Sequence, residues 1–290
     1  MNYLSTLING LSLGGIYALI ALGYTMVYGI AKMLNFAHGD IIMVGAYAIV
    51  MTMGLSLSPA IAVVVAVIFC TLLGIGVEKA AYKPLRGASP LAVLITAIGV
   101  SYLLQSLAQL VYGSNPIPVH LWSFGAVEIF GTQIQISSLI TLGLCIVIMV
   151  ALTLFISYTR TGRAMLAVSE NRVAAQLMGI NTNGIITLTF AIGSALAAFA
   201  STFYLLQMKN ADPLLGQMPG IKAFTAAVIG GIGSIPGAMI GGIMLGVIEK
   251  ICLSFPALAP YTTAVEFSLL IVILLVRPTG ILGKIRHEKV

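Results

Sequence analysis

The chain has 290 residues, of which 59% are hydrophobic and only 8% are charged. Its net charge of +6 does not indicate nucleic-acid binding, because the cationic residues lie in loops between apolar stretches, where membrane topology accounts for them. Apolar runs of about 20 residues that are apolar on all faces exclude a transmembrane β-barrel and predict an all-α, polytopic transmembrane helical bundle.

Eight apolar segments follow one another along the chain. They cover residues 4–30, 36–56, 59–78, 90–112, 135–157, 184–206, 221–253 and 261–277. The seventh is long enough for two crossings, and its GGIGSIP stretch combines glycines, which weaken a helix, with a proline, which removes a backbone donor. The sequence therefore predicts eight or nine spans within a single transmembrane domain, residues 1–290.

Positive charge is concentrated in three regions, which the positive-inside rule assigns to the cytoplasm. Their basic residues are Lys79, Lys83 and Arg86; Arg160, Arg163 and Arg172; and Arg277, Lys284, Arg286 and Lys289. Segments 113–134 and 207–221 are then predicted to face outward, and the first of them contains no Lys or Arg. This arrangement favours nine spans, with the N-terminus outside.

The KMLNFAHGDII segment places several polar residues between the first two spans. Asn35 is predicted to cap the second helix, and Asp40 to lie near its positive N-terminal end. The alternative is a proton relay or a part of the transport pathway, because ionisable residues at membrane depth are candidates for function. Asn35, His38 and Asp40 are therefore candidate pathway or gating residues.

Two other polar features are interpreted structurally. RGASPLAVL predicts a helix start, with Ser89 as N-cap and Pro90 in the first helical position. Glu249, Lys250 and Glu266 are predicted near span ends, where snorkelling and capping accommodate most charges.

The GGIGSIPGAMIGGIMLG segment carries small residues at a spacing of four. Gly233, Gly237 and Gly241 form one such row. Other small residues at this spacing lie beside that row and in the first span: Ser234, Ala238, Gly242, Gly246, Gly10, Gly14 and Ala18. Without Cβ atoms two helix backbones can approach closely, so the pattern predicts a helix-packing surface. A broken helix lining the pathway is the alternative.

Residues 158–184 form a polar cytoplasmic loop in an otherwise apolar chain. Within it, Ser169 is predicted to cap a short helix over ENRVAAQLM, with Glu170 in the first turn. Gly179 is predicted to end this helix, and residues 183–184 to turn into the next span. The helix has an apolar stripe of Val173, Ala174, Leu177 and Met178. A helix this short needs a surface, either the membrane interface or a partner's groove.

Four motifs together resemble one family. NFAHGD, RGASPL, ENRVAAQLMGI and GGIGSIPGAMIGG occur here in the order found in LivH-like branched-chain amino acid permeases, the inner-membrane subunits of ABC importers. The Ala174-Ala175-x-x-x-Gly179 core is similar to the cytoplasmic coupling motif of such permeases. It departs from the general pattern, since Glu170 is not adjacent to Ala174 and no Ile-x-Leu-Pro follows Gly179. The resemblance implies ATPase contact by Glu170, Asn171, Ala174, Ala175 and Gly179.

The resemblance also implies a function and partners. The chain would be the translocation subunit for Leu, Ile and Val, a multi-pass protein of the bacterial inner membrane with no cofactor. Two ATPase subunits would supply energy, a second, LivM-like permease would complete the pathway, and a periplasmic binding protein would deliver the ligand. In agreement, the sequence contains no phosphate-binding GxxxxGK[ST] motif, and its three cysteines lie far apart with no neighbouring histidine, so no metal site is predicted.

Other functions remain open from the residues alone. A related ABC permease could carry an amide, urea or a sugar, because substrate choice in such systems rests largely with the binding protein. A proton- or sodium-coupled secondary transporter would need ionisable residues at mid-span and broken helices in two halves, and only the seventh span partly qualifies. An accessory membrane subunit without a pathway is a third alternative.

Overall fold

The computed structural model describes residues 3–129 and 132–283. These ranges contain the helices α1 (Tyr3–Ala31), α2 (His38–Gly54), α3 (Pro59–Val77), α4 (Pro90–Tyr112), α5 (Ile136–Tyr158), α6 (Arg160–Glu170), α7 (Arg172–Leu177), α8 (Thr182–Met208), α9 (Gln217–Gly230), α10 (Ile235–Ser254) and α11 (Thr262–Val276). A π-helical turn, Glu78–Tyr82, extends α3, and a 3-10 turn, Ala259–Tyr261, precedes α11. Lys284, Arg286 and Lys289, which entered the topology argument, lie outside the described residues.

Within the described ranges, four short strands form two antiparallel pairs. Strand β1 (Ile117–Pro118) pairs with β4 (Asn210–Ala211), and β2 (Ala126–Ile129) pairs with β3 (Thr132–Gln135). The β1–β4 pair joins the two segments that the charge distribution assigns to the outer side. Both therefore lie on one side of the molecule, as predicted.

The predicted polytopic helical bundle is confirmed. In the described ranges, seven helices are long and apolar enough to cross a membrane. The predicted seventh span is divided between α9 and α10, because Gly231 and Gly233 adopt positive φ values of 106° and 93°. Ser234 then caps α10, its hydroxyl accepting the Gly237 N–H at 3.2 Å. The break therefore arises where the sequence predicts it.

Helix ends alternate between two sides of the bundle. At the start of α1, Asn9 accepts a hydrogen bond from Ser138, which follows the β2–β3 hairpin, at 2.8 Å. On the opposite side, the Arg86 guanidinium donates to Asn183 at the start of α8. In the part of the chain that the structure describes, the seven longer helices and the shorter α2 and α9 follow this alternation. The N-terminal end of α1 accordingly lies with the predicted outer segments.

Helix α1 is the centre of the bundle and is almost entirely buried. It packs closely along α10, where a Cβ added to Gly14 would lie 2.7 Å from the Ile243 Cα, and one added to Gly10 would lie 2.9 Å from the Val247 Cα. On α10, Gly242 meets the backbone of Ala18. The close contact between α1 and α10 therefore involves the small residues Gly10, Gly14 and Ala18 of α1. On α10 it involves Gly242 and Gly246, which belong to the row of small residues beside Gly233, Gly237 and Gly241.

The row of Gly233, Gly237 and Gly241 has a different neighbour. Gly237 and Gly241 face α9, and a Cβ at either position would collide with a carbonyl group of that helix. Gly233 lies in the turn before α10, 3.5 Å from the position of a Cβ added to Gly29. These glycines bring the two halves of the divided span together as a tight hairpin.

Two short helices begin inside the bundle. At the start of α2, His38 packs against Gly23 and Tyr24 of α1. Gly23 lies eight residues before the inner end of α1, which corresponds to about 12 Å of helix. The start of α9 lies at the same level, because a Cβ on Gly220 would be 2.9 Å from the Gly39 Cα. The N-terminal ends of α2 and α9 therefore meet within the membrane-spanning region.

Candidate functional site

The polar loop folds into two consecutive helices, α6 and α7. Asn171 has an extended conformation, with φ −149° and ψ 107°, and its side chain caps α7 by accepting the Ala174 N–H at 3.0 Å. The predicted cap, Ser169, lies instead in the last turn of α6, where its hydroxyl donates to the Leu166 carbonyl at 2.7 Å. Glu170 is therefore the last residue of α6, and its predicted position in the first turn of a helix is wrong.

The reason for this difference is tertiary packing. Met165 and Val168 are 1% and 2% exposed, so burial against the bundle holds the end of α6 in helical form past Ser169. Asn171 is the next residue able to cap a helix. Two helices with a sharp junction result, in place of the single helix that the sequence predicts.

Gly179 ends α7 in a left-handed conformation with φ +83°. Its N–H donates to the Gln176 carbonyl at 3.0 Å, and the Ile180 N–H donates to the Ala175 carbonyl at 3.0 Å. This closed loop is a glycine-dependent helix end. Residues 183–184 lie in the first turn of α8, not in a turn before it, because Asn181 caps that helix.

Helix α7 projects from the bundle. Ala175 is buried, but Val173, Leu177 and Met178 are 68%, 83% and 83% exposed. The other predicted coupling residues, Glu170, Asn171, Ala174 and Gly179, are exposed as well. A short helix that presents large apolar side chains outward is typical of a surface covered by a partner.

A buried polar network lies next to this helix. Glu78 is fully buried and accepts hydrogen bonds from the Arg86 guanidinium and, at 2.8 Å, from the Thr187 hydroxyl. Arg86 also donates to Asn183. The network ties the C-terminal end of α3 and the loop before α4 to the start of α8. From the sequence, Arg86 was interpreted only as one of the cations that set the membrane topology. The residue that could have indicated the network is Glu78, an acidic residue at the end of an apolar span.

Asn35, His38 and Asp40 contact three different elements. The Asn35 side chain does not cap α2; its Oδ1 accepts a hydrogen bond from the Tyr82 hydroxyl at 2.7 Å. His38 packs edge-on against the Tyr24 ring, with centroids 4.8 Å apart. These contacts do not connect the three residues into one hydrogen-bonded chain, so the proton-relay alternative gains no support from their geometry.

Asp40 does lie in the first turn of α2, as predicted. Its carboxylate is buried and accepts a hydrogen bond from the Gln105 amide of α4 at 2.8 Å. Gln105 is also buried, and sequence reasoning did not single it out. An amide side chain within an apolar span was the sequence signal for it.

Glu249 and Glu266 lie close to the ends of α10 and α11, as predicted, but the expectation that they snorkel outward is wrong. The Lys222 ammonium group lies 2.9 Å from Glu249 Oε1 and 3.3 Å from Glu266 Oε2. The Tyr17 hydroxyl, near the middle of α1, donates to Glu249 Oε2 at 2.7 Å. The charges face one another inside the bundle instead of snorkelling outward. They join α1, α9, α10 and α11.

Replacing Lys222 with methionine is expected to destabilise the protein by about 3–5 kcal/mol, because two buried carboxylates would lose their shared cation. Thermal unfolding of the purified protein in detergent measures the effect. The control removes all three charges, as Lys222→Met with Glu249→Gln and Glu266→Gln, and should recover much of the loss. Equal stability of wild type and the single variant would contradict an energetic role for this network.

Comparisons with known proteins agree with this architecture. A family model described as the permease component of the branched-chain amino acid transport system matches residues 6–275. The chain is 44% identical to the high-affinity branched-chain amino acid permease protein LivH of Salmonella typhimurium, over 99% of this chain and 98% of that protein. It is 45% identical to BraD of Pseudomonas aeruginosa, over 100% and 98%. The solved structure of PsaBC from Streptococcus pneumoniae in complex with Fab shares the fold, with a TM-score of 0.53 and 15% identity over 96% of this chain and 93% of that one.

Proposed function

This chain belongs to the family of permease components of branched-chain amino acid transport systems, and we propose that it forms a translocation pathway together with a second, homologous permease. The resemblance drawn from the sequence motifs is confirmed. The chain is a multi-pass membrane permease of an ABC importer for branched-chain amino acids. In our proposal, residues 1–290 form one permease domain in the bacterial inner membrane, separate ATPase subunits supply the energy, and a periplasmic binding protein delivers the ligand.

We propose residues 158–184 as the loop that couples this permease to its ATPases. The observation that carries the proposal is the exposure of Leu177 and Met178, both 83%, at the tip of α7. Apolar side chains of this size fit a groove on another protein, and the cationic loops assign this side to the cytoplasm. Glu170 and Asn171, at the junction of α6 and α7, supply polar contacts at the rim of the same surface.

In this proposal, a movement of α7 is transmitted to the bundle through two sets of contacts. Residues 178–181 connect α7 directly to α8. The buried Arg86–Glu78 pair, with Asn183 and Thr187, connects the start of α8 to α3 and α4. A rigid displacement of α7 by the ATPases would therefore move three spans together rather than one.

Purification of the tagged chain from its native membrane in mild detergent tests these partners. We expect ATPase subunits and a second permease to co-purify, and the Leu177→Asp variant to lose the ATPases while keeping the second permease. Leu258→Asp is the matched control, since Leu258 is 43% exposed and precedes α11 on the outer side. It should retain both partners.

Reconstitution into liposomes completes the test. Uptake of leucine by the purified complex should require ATP and the binding protein. Uphill leucine transport by this chain alone, in liposomes without nucleotide, would show that the energy source is not a separate ATPase. Retention of the ATPases by the Leu177→Asp variant would contradict the assignment of α7.

A further inference from the structure

A cavity of about 310 Å³ lies where α2 and α9 begin. Its volume is within the range of small-molecule sites. Tyr24 of α1 and the 94–105 part of α4 form its other walls. Four helices thus border the cavity, and two of them start at its edge within the membrane-spanning region. Broken helices of this kind border substrate sites in other transporter folds.

Asp40 gives this cavity a negative charge. Its carboxylate is 3% exposed and is held by Gln105, which lines the same cavity. Among the described residues that line the cavity, none is Lys, Arg or His. A carboxylate buried without a cation is costly, and a ligand that carries an ammonium group would offset that cost.

The remaining walls match the other parts of an aliphatic amino acid. Leu94, Ile98 and Ile221 provide apolar surface on one side of the cavity. The positive ends of α2 and α9 meet on another side, where Gly39, Gly216 and Gly220 allow the two backbones to approach closely. A helix N-terminus favours a nearby carboxylate. Negative, positive and apolar surfaces therefore border one space.

We propose that this cavity is a subsite on the translocation pathway for a zwitterionic amino acid with a branched aliphatic side chain, in which Asp40 accepts the α-ammonium group. The positive end of α9 faces the α-carboxylate, and the apolar wall contacts the side chain. Gln105 acts as a positioning residue that orients the Asp40 carboxylate. This assignment rests on the proposed function, because the ligand must reach the cavity as the cargo of the importer.

Uptake by the reconstituted complex gives the first test. Asp40→Asn keeps the shape of the side chain but removes the charge, so leucine uptake should fall about tenfold to a hundredfold, the scale of one lost hydrogen bond to a charged group. The yield of the assembled complex is measured in parallel, so that a loss of uptake is compared at equal amounts of complex. Asp212→Asn is the matched control, because Asp212 caps a turn before α9 and does not line the cavity. Its uptake should equal that of wild type.

The outcomes separate this proposal from the proposed function. If wild type takes up leucine and Asp40→Asn does so equally well, the subsite is refuted and the importer stands. If wild type shows no ATP-dependent uptake, the function itself fails. If the Asp40→Asn variant does not assemble into the complex, a labelling experiment on the wild-type complex tests the subsite instead.

That experiment uses dicyclohexylcarbodiimide, an apolar reagent that modifies buried carboxyl groups, with mass spectrometry to measure labelling at Asp40 and Glu266. Leucine, or isoamylamine, which has the ammonium group alone, should protect Asp40 selectively. Isocaproate, which has the same aliphatic chain and a carboxylate but no amine, should not. Equal labelling of Asp40 with every ligand would overturn the assignment.

Discussion

Replacing Gly179 with proline is expected to reduce ATP-driven leucine uptake at least about tenfold while the protein stays inserted in the membrane. Gly179 has φ +83°, whereas proline is fixed near φ −65°, so the variant cannot adopt the loop that ends α7. Proline also removes the N–H that donates to Gln176. The local cost of about 3 kcal/mol exceeds what a helix of six residues can supply, so α7 would leave its position.

Gly113→Pro is the matched control. Gly113 also has a positive φ, +81°, its N–H donates to the Gln109 carbonyl at 2.9 Å, and open space surrounds it as it surrounds Gly179. It ends α4 on the outer side, far from α7. Both variants should lose similar stability, but ATPase activity should become uncoupled from uptake only in Gly179→Pro. Equal uptake rates in the two variants would contradict the coupling role of residues 158–184.

The positions of the spans could be predicted because they depend on a bulk property. A helix must bury about 20 apolar residues to cross the hydrocarbon core, and that requirement is visible in any single window of sequence. The predicted segment 90–112 coincides with α4, whose start is also fixed by the Ser89 cap. The break at Gly231 to Ser234 could likewise be predicted, since glycine and proline act on their own backbone.

The buried charges could not be located from the sequence. Lys222, Glu249 and Glu266 are far apart along the chain, and only the packing of α9, α10 and α11 brings them together. Each charge alone resembles a residue at a span end. In the same way, the partner of Asp40 is Gln105, a single amide on another helix. Contacts between residues that are far apart along the chain leave no periodic pattern in the sequence.

The secondary structure of residues 158–184 was predicted in part. A short polar interruption with a terminal glycine is visible in the sequence, and Gly179 does end α7. The start of the helix was misplaced because Ser169 and Asn171 are equally good caps two residues apart. Burial of Met165 and Val168 decides between them, and that burial depends on the bundle. Local propensity therefore predicts that a helix exists here, while tertiary packing determines where it begins.

Replacing Gly242 with leucine is expected to destabilise the bundle by about 3 kcal/mol or more. A Cβ at this position would collide with the backbone of Ala18, and α1 cannot move aside because it is enclosed by its neighbours. Overpacking a core costs about 1–3 kcal/mol when side chains can adjust, and more when two backbones are forced apart. At 3 kcal/mol or above, the unfolding midpoint should fall by roughly 10 °C. Fluorescence-detected size exclusion after heating measures that shift.

Gly143→Leu separates this effect from the general cost of replacing a helical glycine. Gly143 lies within α5, is exposed, and has no atom within 4 Å of an added Cβ, so leucine there gains helix propensity without a collision. Its midpoint should match or exceed that of wild type. In a membrane, contact between α1 and α10 depends on close backbone approach, since lipid gives no hydrophobic gradient to drive helices together. If Gly242→Leu folded as well as Gly143→Leu, that close approach would not be what holds the centre of the bundle.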